Sequence, residues 1–566
     1  MVGRVHSRRS SVCRWVFALA AAGLLLRLFQ LQCLGFEQWS DYAVGQHRRL
    51  SCLEARRGTI RDRGGNILSC SLPVPSLYAV PARISDPAGV ASILGPILGL
   101  DVSELVGRLK GDGEFAWIKR HLSEEERSRI EELGMGGLGF REEYRRVYPK
   151  GSLLANVLGL TDVDGKGIEG LELALDNELR GRDGWRMTGR DSKLREVVWL
   201  RDEDIPPING CNVFLTVDEV VQDLAESELE NACRRYSAAW GVALVMDCRT
   251  GDILALANKP DYDPNSYPRP PAEIRRNRAI TDPVEPGSTF KALVGAAALE
   301  AGVVEPSSLF YCENGSFRIG GVVLHDSHPE GNLTFAQILQ RSSNIGMAKV
   351  GMLLGNRRLH HALRAFRIGQ KLGVDIPGES AGILRPVEKW SKISLRSITM
   401  GHEISVTPLG LLTAFCALGN AGMVPRPRIV DRVETAGGES VRVSDRTPLG
   451  RAVSPETAER MRNILRLVVE REGTGHRARI PGYQVLGKTG TAQKPGPDGR
   501  YSHRLFRSLF MGMFPASEPR YAILVMLDEP KGSYYGGTVA APVFRAIGEG
   551  LIRHFDLPPA EFEEES

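Results

Sequence analysis

A layered α/β or α+β fold, preceded by a transmembrane helix and an irregular β-rich segment, is the architecture this sequence predicts. Three observations predict it. The stretch "GVALVMDCRTGDILALAN", Gly241 to Asn258, reads as a β-hairpin, two apolar runs joined by a turn at Arg249 to Asp252. Strand-like runs return near Val485, Leu509 and Tyr521 to Leu527, with apolar helical stretches between, among them "PGSTFKALVGAAALEAG", closed by Gly302, and others around Leu333 to Leu354 and Thr407 to Ala421. Helices between an early hairpin and late strands imply a mixed or antiparallel sheet covered by helices.

The bulk numbers bound the answer. A chain of 566 residues is too long for one ordinary domain, and its 42% apolar and 25% charged residues suffice for several cores. The net charge of +4 is small for this length and argues against a nucleic-acid partner, which would require Lys and Arg gathered on one face. Nine scattered cysteines without a C-x-x-C spacing speak against a zinc ribbon or a disulfide framework, and they read as small core residues.

Taken in order, the elements begin with a basic tail over residues 1–14 and an apolar run over 15–34. Trp15 to Leu26 is wholly apolar, and about 20 helical residues span a bilayer core. A cleaved signal peptide would place small residues after a shorter apolar run; here Ala18, Ala20, Ala21 and Ala22 lie inside it and Leu24 to Leu26 follow. Arg27 lies past the centre and can snorkel outward. Arg4, Arg8, Arg9 and Arg14, with no acid among them, set the N-terminus in the cytoplasm and the rest of the chain outside the cell (inner) membrane, as a single-pass protein.

Residues 35–205 are polar and irregular, with short strand-like runs. The helical stretch from Ser123 to Gly134 has Ser123 as N-cap and Glu126 at the capping-box position. "DIPPING", Asp204 to Gly210, is a Pro/Gly-rich break that reads as a domain boundary, so residues 206–555 form the second large domain. There "CNVFLTV" reads as a strand and the next helix takes Asp218 as N-cap. The acidic tail, residues 556–566, reads as disordered.

Chemistry concentrates in three short motifs: "STFK" (Ser288 to Lys291), "SSN" (Ser342 to Asn344) and "KTGT" (Lys488 to Thr491). Singly each is commonplace, a solvated helix face or a loop turn. In this order they form the signature of active-site serine enzymes acting on D-alanyl-D-alanine peptides and β-lactams. A serine hydroxyl is a weak nucleophile and needs an adjacent base, and a lysine serves only when neutral, which burial and a second cation favour. Residues three apart are neighbours on a helix, so Ser288 and Lys291 are expected to meet in the first turn, with Lys488 as the second cation. The helix start favours an oxyanion near the Ser288 N–H. "GKTGTAQ" reads as an edge strand able to pair with an extended peptide, where Lys488, Thr489, Gly490 and Thr491 meet the substrate and its carboxylate. Ser342 is placed to relay a proton to the leaving amine, and Asn344 to orient Lys291.

The chain resembles the class B penicillin-binding proteins over nearly its whole length. The carrying stretches are "RNRAITDPVEPGSTFKAL", "LTFAQILQRSSNIGMAKV", "SVTPLGLLTAFCALGNAG", "GKTGTAQK" and "YYGGTVAAPVF", while "RRGTIRDRGGNIL", "RVYPKGSLLANVLG" and "GIEGLE" look like the membrane-proximal pedestal, or dimerisation-type domain. The resemblance implies the penicillin-binding serine transpeptidase fold without cofactor or metal. It implies the stem pentapeptide of nascent, lipid-linked peptidoglycan as donor, acylation of Ser288, inhibition by β-lactams, and a glycan polymerase of the SEDS type and other division proteins as partners. "RNRAITDPVEPGSTFK", with no appended C-terminal domain, resembles the septal, division-specific branch; the elongation branch is the alternative. A D,D-carboxypeptidase, a β-lactamase, a β-lactam sensor and a catalytically silent scaffold are the competing readings, although no motif supplies a deacylating water. One departure is Gly410, where the family's "VTPL" is followed by Gln; it puts packing rather than mechanism in question. "HDSH", His325 to His328, has the look of a metal pair but lacks a third ligand and reads as a loop. Glu459 to Asn463 mimics a β-lactamase water-activating spacing but reads as a helix.

Overall fold

The computed structural model describes residues 2–34, 48–190, 196–197, 204–319, 322–496 and 501–559. Parts of the expected 35–205 segment, and the acidic tail from 560 on, lie outside these. The apolar run is helical as its composition requires: Val2–Phe29 is an α-helix that continues into a π-helical turn, Gln30–Leu34. Its 23-residue apolar part, Val12–Leu34, is long enough to cross a membrane, and none of it is buried inside the protein.

The chain divides into two compact units, Met1–Arg56 with Gly181–Asn209, and Arg57–Arg180 with Gly210–Ser566. In the first, strand Arg48–Leu53 pairs antiparallel with Gly184–Arg190, which also carries Glu196–Val197 and Asp204–Ile205.

In the second unit the long strand Ile67–Ala79 pairs antiparallel with Leu138–Val147 and Ala116–Lys119. Three helices, Pro87–Leu98, Val102–Leu109 and Glu124–Glu132, contribute Leu94, Leu105 and Ile130 to the small core around Leu77 and Ile118. Each starts where a side chain caps it, at Asp86, Asp101 and Ser123, and Ser123 forms the full reciprocal box with Glu126. Asn212–Leu215, the strand read after the Pro-Gly break, does not enter the central sheet. It lies parallel to Ile60–Arg61 and antiparallel to Val430–Glu434, within a seven-stranded sheet.

In the same unit a carboxylate is fully buried between two arginines. Glu172 accepts from Arg57 Nε at 2.7 Å, Arg146 Nε at 2.6 Å and Ser69 Oγ at 3.0 Å, and Arg57 also reaches Asp176 at 2.6 Å. Burial opposes ionisation of Glu172, and Arg146 and Arg57 more than offset it, so its carboxyl titrates below the ordinary range. A depressed folded-state pKa contributes stability above the unfolded value, about 4.3, that is lost as pH falls through the folded value. Glu172→Gln leaves the buried Arg146 without its counter-charge and Arg57 with Asp176 alone, and breaking such a cluster costs about 3–5 kcal/mol. The expected result is a lower melting temperature and earlier proteolysis within residues 57–180; a variant melting with the wild type would contradict it.

The central sheet is assembled from distant parts of the chain. Helix α1 (Glu219–Arg235), capped by Asp218 as expected, precedes the hairpin of β1 (Trp240–Asp247) and β2 (Ile253–Lys259). There follow α2 (Lys291–Glu300), α3 (Phe335–Arg341), α4 (Asn344–Leu354), α5 (Pro408–Gly419) and α6 (Pro455–Leu467). Strands β3 (Leu486–Pro495), β4 (Tyr501–Phe514) and β5 (Tyr521–Asp528) and helix α7 (Ala541–His554) complete the set. The order is β2-β1-β5-β4-β3, antiparallel throughout, so β3 is an edge strand.

Both faces of this sheet are covered, which is why its strands read as continuous apolar runs rather than alternating ones. Val242, Leu244 and Met246 of β1 join the core that holds α2, α5 and α6, while Ala243 and Val245 join the other core with α1 and α7. Positions Lys291 to Leu299 of α2 are all buried, as expected of a helix apolar on every side.

Gly410 is the third residue of α5, and its N–H donates to the N-cap Thr407 Oγ1 at 3.1 Å. A glutamine at this position would complete a capping box. With glycine only the forward bond of that pair forms, and an added Cβ would lie 3.0 Å from Thr407 Oγ1. The Glu459–Asn463 stretch lies wholly within α6.

Candidate active site

The Pro-Gly turn before the serine does not pass directly into an α-helix. Gly287–Phe290 forms a 3₁₀ turn that contains Ser288, and the α-helix begins at Lys291. In 3₁₀ geometry residues three apart eclipse, which keeps Ser288 and Lys291 on one side. The turn is pinned by backbone contact: Gly287 N donates to Gly401 O, and a Cβ on Gly401 (φ 80°) would lie 2.2 Å from Gly287 O. Glu285 anchors it further, accepting from Tyr501 OH at 2.8 Å and Glu403 N at 3.0 Å and pairing with His402 Nδ1 at 3.0 Å.

The Lys291 side chain is fully buried. Its amine contacts Ser342 O at 2.7 Å, Asn344 Oδ1 at 2.7 Å and Ser342 Oγ at 3.3 Å. None of its hydrogen bonds goes to Ser288, whose hydroxyl is without an internal partner among the described residues. The Asn344 amide donates its Nδ2 to His325 O at 2.9 Å, which turns Oδ1 toward the lysine.

Burial pulls the Lys291 pKa down to about 7, with the Asp326 carboxylate acting the other way. Lys488, also fully buried, is held well below the ordinary lysine range by burial and then by Lys291. The two amines are therefore electrostatic neighbours, and their mutual repulsion disfavours two charges at once.

Alternation along β3 sends Lys488 and Gly490 to one face and Thr489 and Thr491 to the other. The first face packs on the serine turn so closely that a Cβ on Gly490 would lie 2.8 Å from Thr289 Cγ2. On the second face Thr489 Oγ1 lies 2.8 Å from Thr474 Oγ1, and Thr491 Oγ1 accepts from Gly536 N at 3.1 Å. Ser288, Lys291, Ser342, Asn344 and Lys488 thus gather around the start of α2, whereas Thr489 and Thr491 flank the free edge of β3 with other partners.

Two residues beside the site escaped the sequence reading. Thr474 precedes β3 in an unremarked "GTG" loop, and nothing local marks it. Asp326 lies inside "HDSH", whose spacing points to the histidines instead; its carboxylate accepts from Ser343 Oγ at 2.6 Å, Asn344 N at 2.5 Å and Ile345 N at 3.1 Å.

Ser342 is left-handed, at φ 60° and ψ 37°, where it closes α3. A non-glycine residue in this region is strained by about 1–2 kcal/mol, and such strain collects at functional sites. Ser342→Gly is expected to raise the melting temperature, the relief exceeding glycine's unfolded-state entropy by about 0.5–1 kcal/mol, while slowing acylation by a β-lactam. Loss of both stability and acylation would contradict this account.

Comparison with known proteins gives the family. Residues 241–549 match the penicillin-binding protein transpeptidase domain, and residues 53–215 match the penicillin-binding protein dimerisation domain. The chain is 35% identical over 559 residues to a probable peptidoglycan D,D-transpeptidase, PenA, of Neisseria meningitidis, covering 98% of this chain and 94% of that one. It is 34% identical over 561 residues to the peptidoglycan D,D-transpeptidase FtsI of Escherichia coli, covering 96% and 92%. Among solved structures, penicillin-binding protein 3 of Mycobacterium tuberculosis complexed with aztreonam superposes with a TM-score of 0.70 at 29% identity, covering 90% of this chain and 98% of that one. The N-terminal apolar helix fits a single-pass membrane protein of the same kind. Alignment from end to end with such enzymes, across both domains, means that the chain belongs to the class B penicillin-binding proteins, as a serine-type peptidoglycan D,D-transpeptidase.

Proposed function

We propose that this transpeptidase crosslinks stem peptides of septal peptidoglycan through an acyl-enzyme on Ser288. The observation that carries the reading is the fully buried Lys291 one turn beyond Ser288, its amine pulled toward neutrality by burial. Neutral Lys291 takes the Ser288 proton, and the oxygen attacks the carbonyl between the two terminal D-alanines of a pentapeptide stem. The oxyanion is received by the backbone N–H groups of Ser288 and Thr491. Ser342, 3.3 Å from the Lys291 amine, passes the proton to the leaving nitrogen, and D-alanine departs. An amine of a neighbouring stem then attacks the ester and gives up its proton by the same route, which restores Ser288.

The incoming carboxylate supplies a counter-charge to Lys488 and favours its protonated form. Thr489, Gly490 and Thr491 line the edge along which the donor lies, and the same groups receive a β-lactam. Arg4, Arg8, Arg9 and Arg14 orient the N-terminus to the cytoplasm, so the reaction takes place outside the cell membrane. A SEDS-type glycan polymerase and other division proteins are the proposed partners of the anchor and pedestal. The division assignment rests on "RNRAITDPVEPGSTFK".

Two measurements test the reading. Incubated with a pentapeptide donor and an amine acceptor, the enzyme should form crosslinked product; release of tetrapeptide alone would favour a D,D-carboxypeptidase. Depletion in cells should cause filaments, whereas rounding would assign the enzyme to elongation.

A further inference from the structure

We infer that Asp326 is a positioning residue for Lys291: it clamps the first turn of α4, so fixing Ser342 and Asn344 around the lysine, and its carboxylate is the counter-charge of the catalytic cluster. The inference rests on the proposed role of Lys291 as base. Asp326 follows the β-hairpin strand Val322–His325 and meets the opening of α4 from outside that helix. One carboxylate oxygen accepts from Asn344 N and Ile345 N, and the other from Ser343 Oγ. Ser343 Oγ in turn accepts from Gly346 N at 3.0 Å. Asp326 and Ser343 together satisfy three of the first four N–H groups of α4, which no residue earlier in that helix can reach.

Neighbouring His325 adds the bond from Asn344 Nδ2 to its carbonyl, so the same two residues hold both the backbone and the amide of Asn344. A shift in this segment would move two of the acceptors around the Lys291 amine. The other charged groups nearby are already engaged: Lys349 pairs with Glu313 at 2.6 Å and Glu330 with Arg341 at 3.0 Å. Cys312 Sγ lies 3.5 Å from Ser343 Oγ. Facing Lys291 itself, Lys488 is the opposing like charge and Asp326 the carboxylate whose field reaches it.

The test is the pH dependence of acylation by a fluorescent penicillin, measured on the full-length protein in detergent. For the wild type, the rate should fall about tenfold per pH unit below a limb near 7, because protonated Lys291 cannot act as base. Asp326→Asn keeps the shape but removes the charge, so the limb should move to lower pH by about half a unit to one unit, with a lowered plateau. Asp326→Glu should leave the limb in place. Ser343→Ala breaks the clamp but keeps the charge, and should lower the plateau without moving the limb. If Asp326→Asn does not fold, Asp326→Ser carries the same test, since its hydroxyl can still accept a helix N–H. An unmoved limb in the charge-removing variant overturns the inference while the role of Lys291 stands; absence of the limb from the wild type would instead overturn the role of Lys291.

Discussion

Ser288→Ala is expected to abolish covalent labelling by a fluorescent penicillin while leaving the protein folded. The hydroxyl is half-buried on the 3₁₀ turn and is without an internal hydrogen-bond partner among the described residues, so its removal opens little volume and breaks no bond. The turn itself is held by groups the substitution does not touch: the Gly287–Gly401 backbone bond, the Glu285 contacts, and the Thr289 Oγ1 bond to Pro286 O at 2.6 Å. Labelling should therefore disappear with an unchanged melting temperature. Persistent labelling of a folded Ser288→Ala protein would show that another residue is the nucleophile.

Lys291→Arg should be nearly as damaging as Lys291→Ala, although it keeps the positive charge. A lysine buried to this degree titrates near neutrality, whereas a guanidinium stays protonated in any protein environment and cannot accept the serine proton. Loss of a positioned general base typically costs about 10²–10⁴-fold. The pH profile distinguishes this from a steric defect. Wild-type acylation should fall as the solution is acidified through about 7, while residual activity of Lys291→Arg should lack that limb. A Lys291→Arg enzyme within about tenfold of wild type, some 1.4 kcal/mol in barrier, would mean that the residue contributes charge rather than basicity.

Features encoded over short spans were legible before the fold was known. Ser123 with Glu126, and Asp218, cap helices as their spacing requires, because a cap is a contact between residues two or three apart. The Gly241–Asn258 hairpin formed as read, since two apolar runs and a tight turn leave a strand few other partners. "GKTGTAQ" stands at the sheet edge as expected. The serine, lysine and asparagine of the three motifs could be singled out because their order along the chain is itself the signal.

What the sequence could not decide are relations across long loops and the handedness of single residues. Glu172 meets Arg57 across 115 positions and Arg146 across 26, and nothing local to "GIEGLE" announces a buried ion cluster. The strand at Asn212–Leu215 was legible as a strand, but its partners, Ile60–Arg61 and Val430–Glu434, lie far away on both sides in the chain. Likewise Ser342 could be named from its motif but not its left-handed backbone, and the turning of Asn344 toward Lys291 depends on Asp326 and His325, 18 and 19 positions earlier. Caps, turns and strand periodicity follow from neighbouring residues alone, so the sequence determines them. The depressed pKa of Lys291, the counter-charge of Asp326 and the strain at Ser342 arise from burial and from contacts between distant segments, and only the packed tertiary structure brings these together.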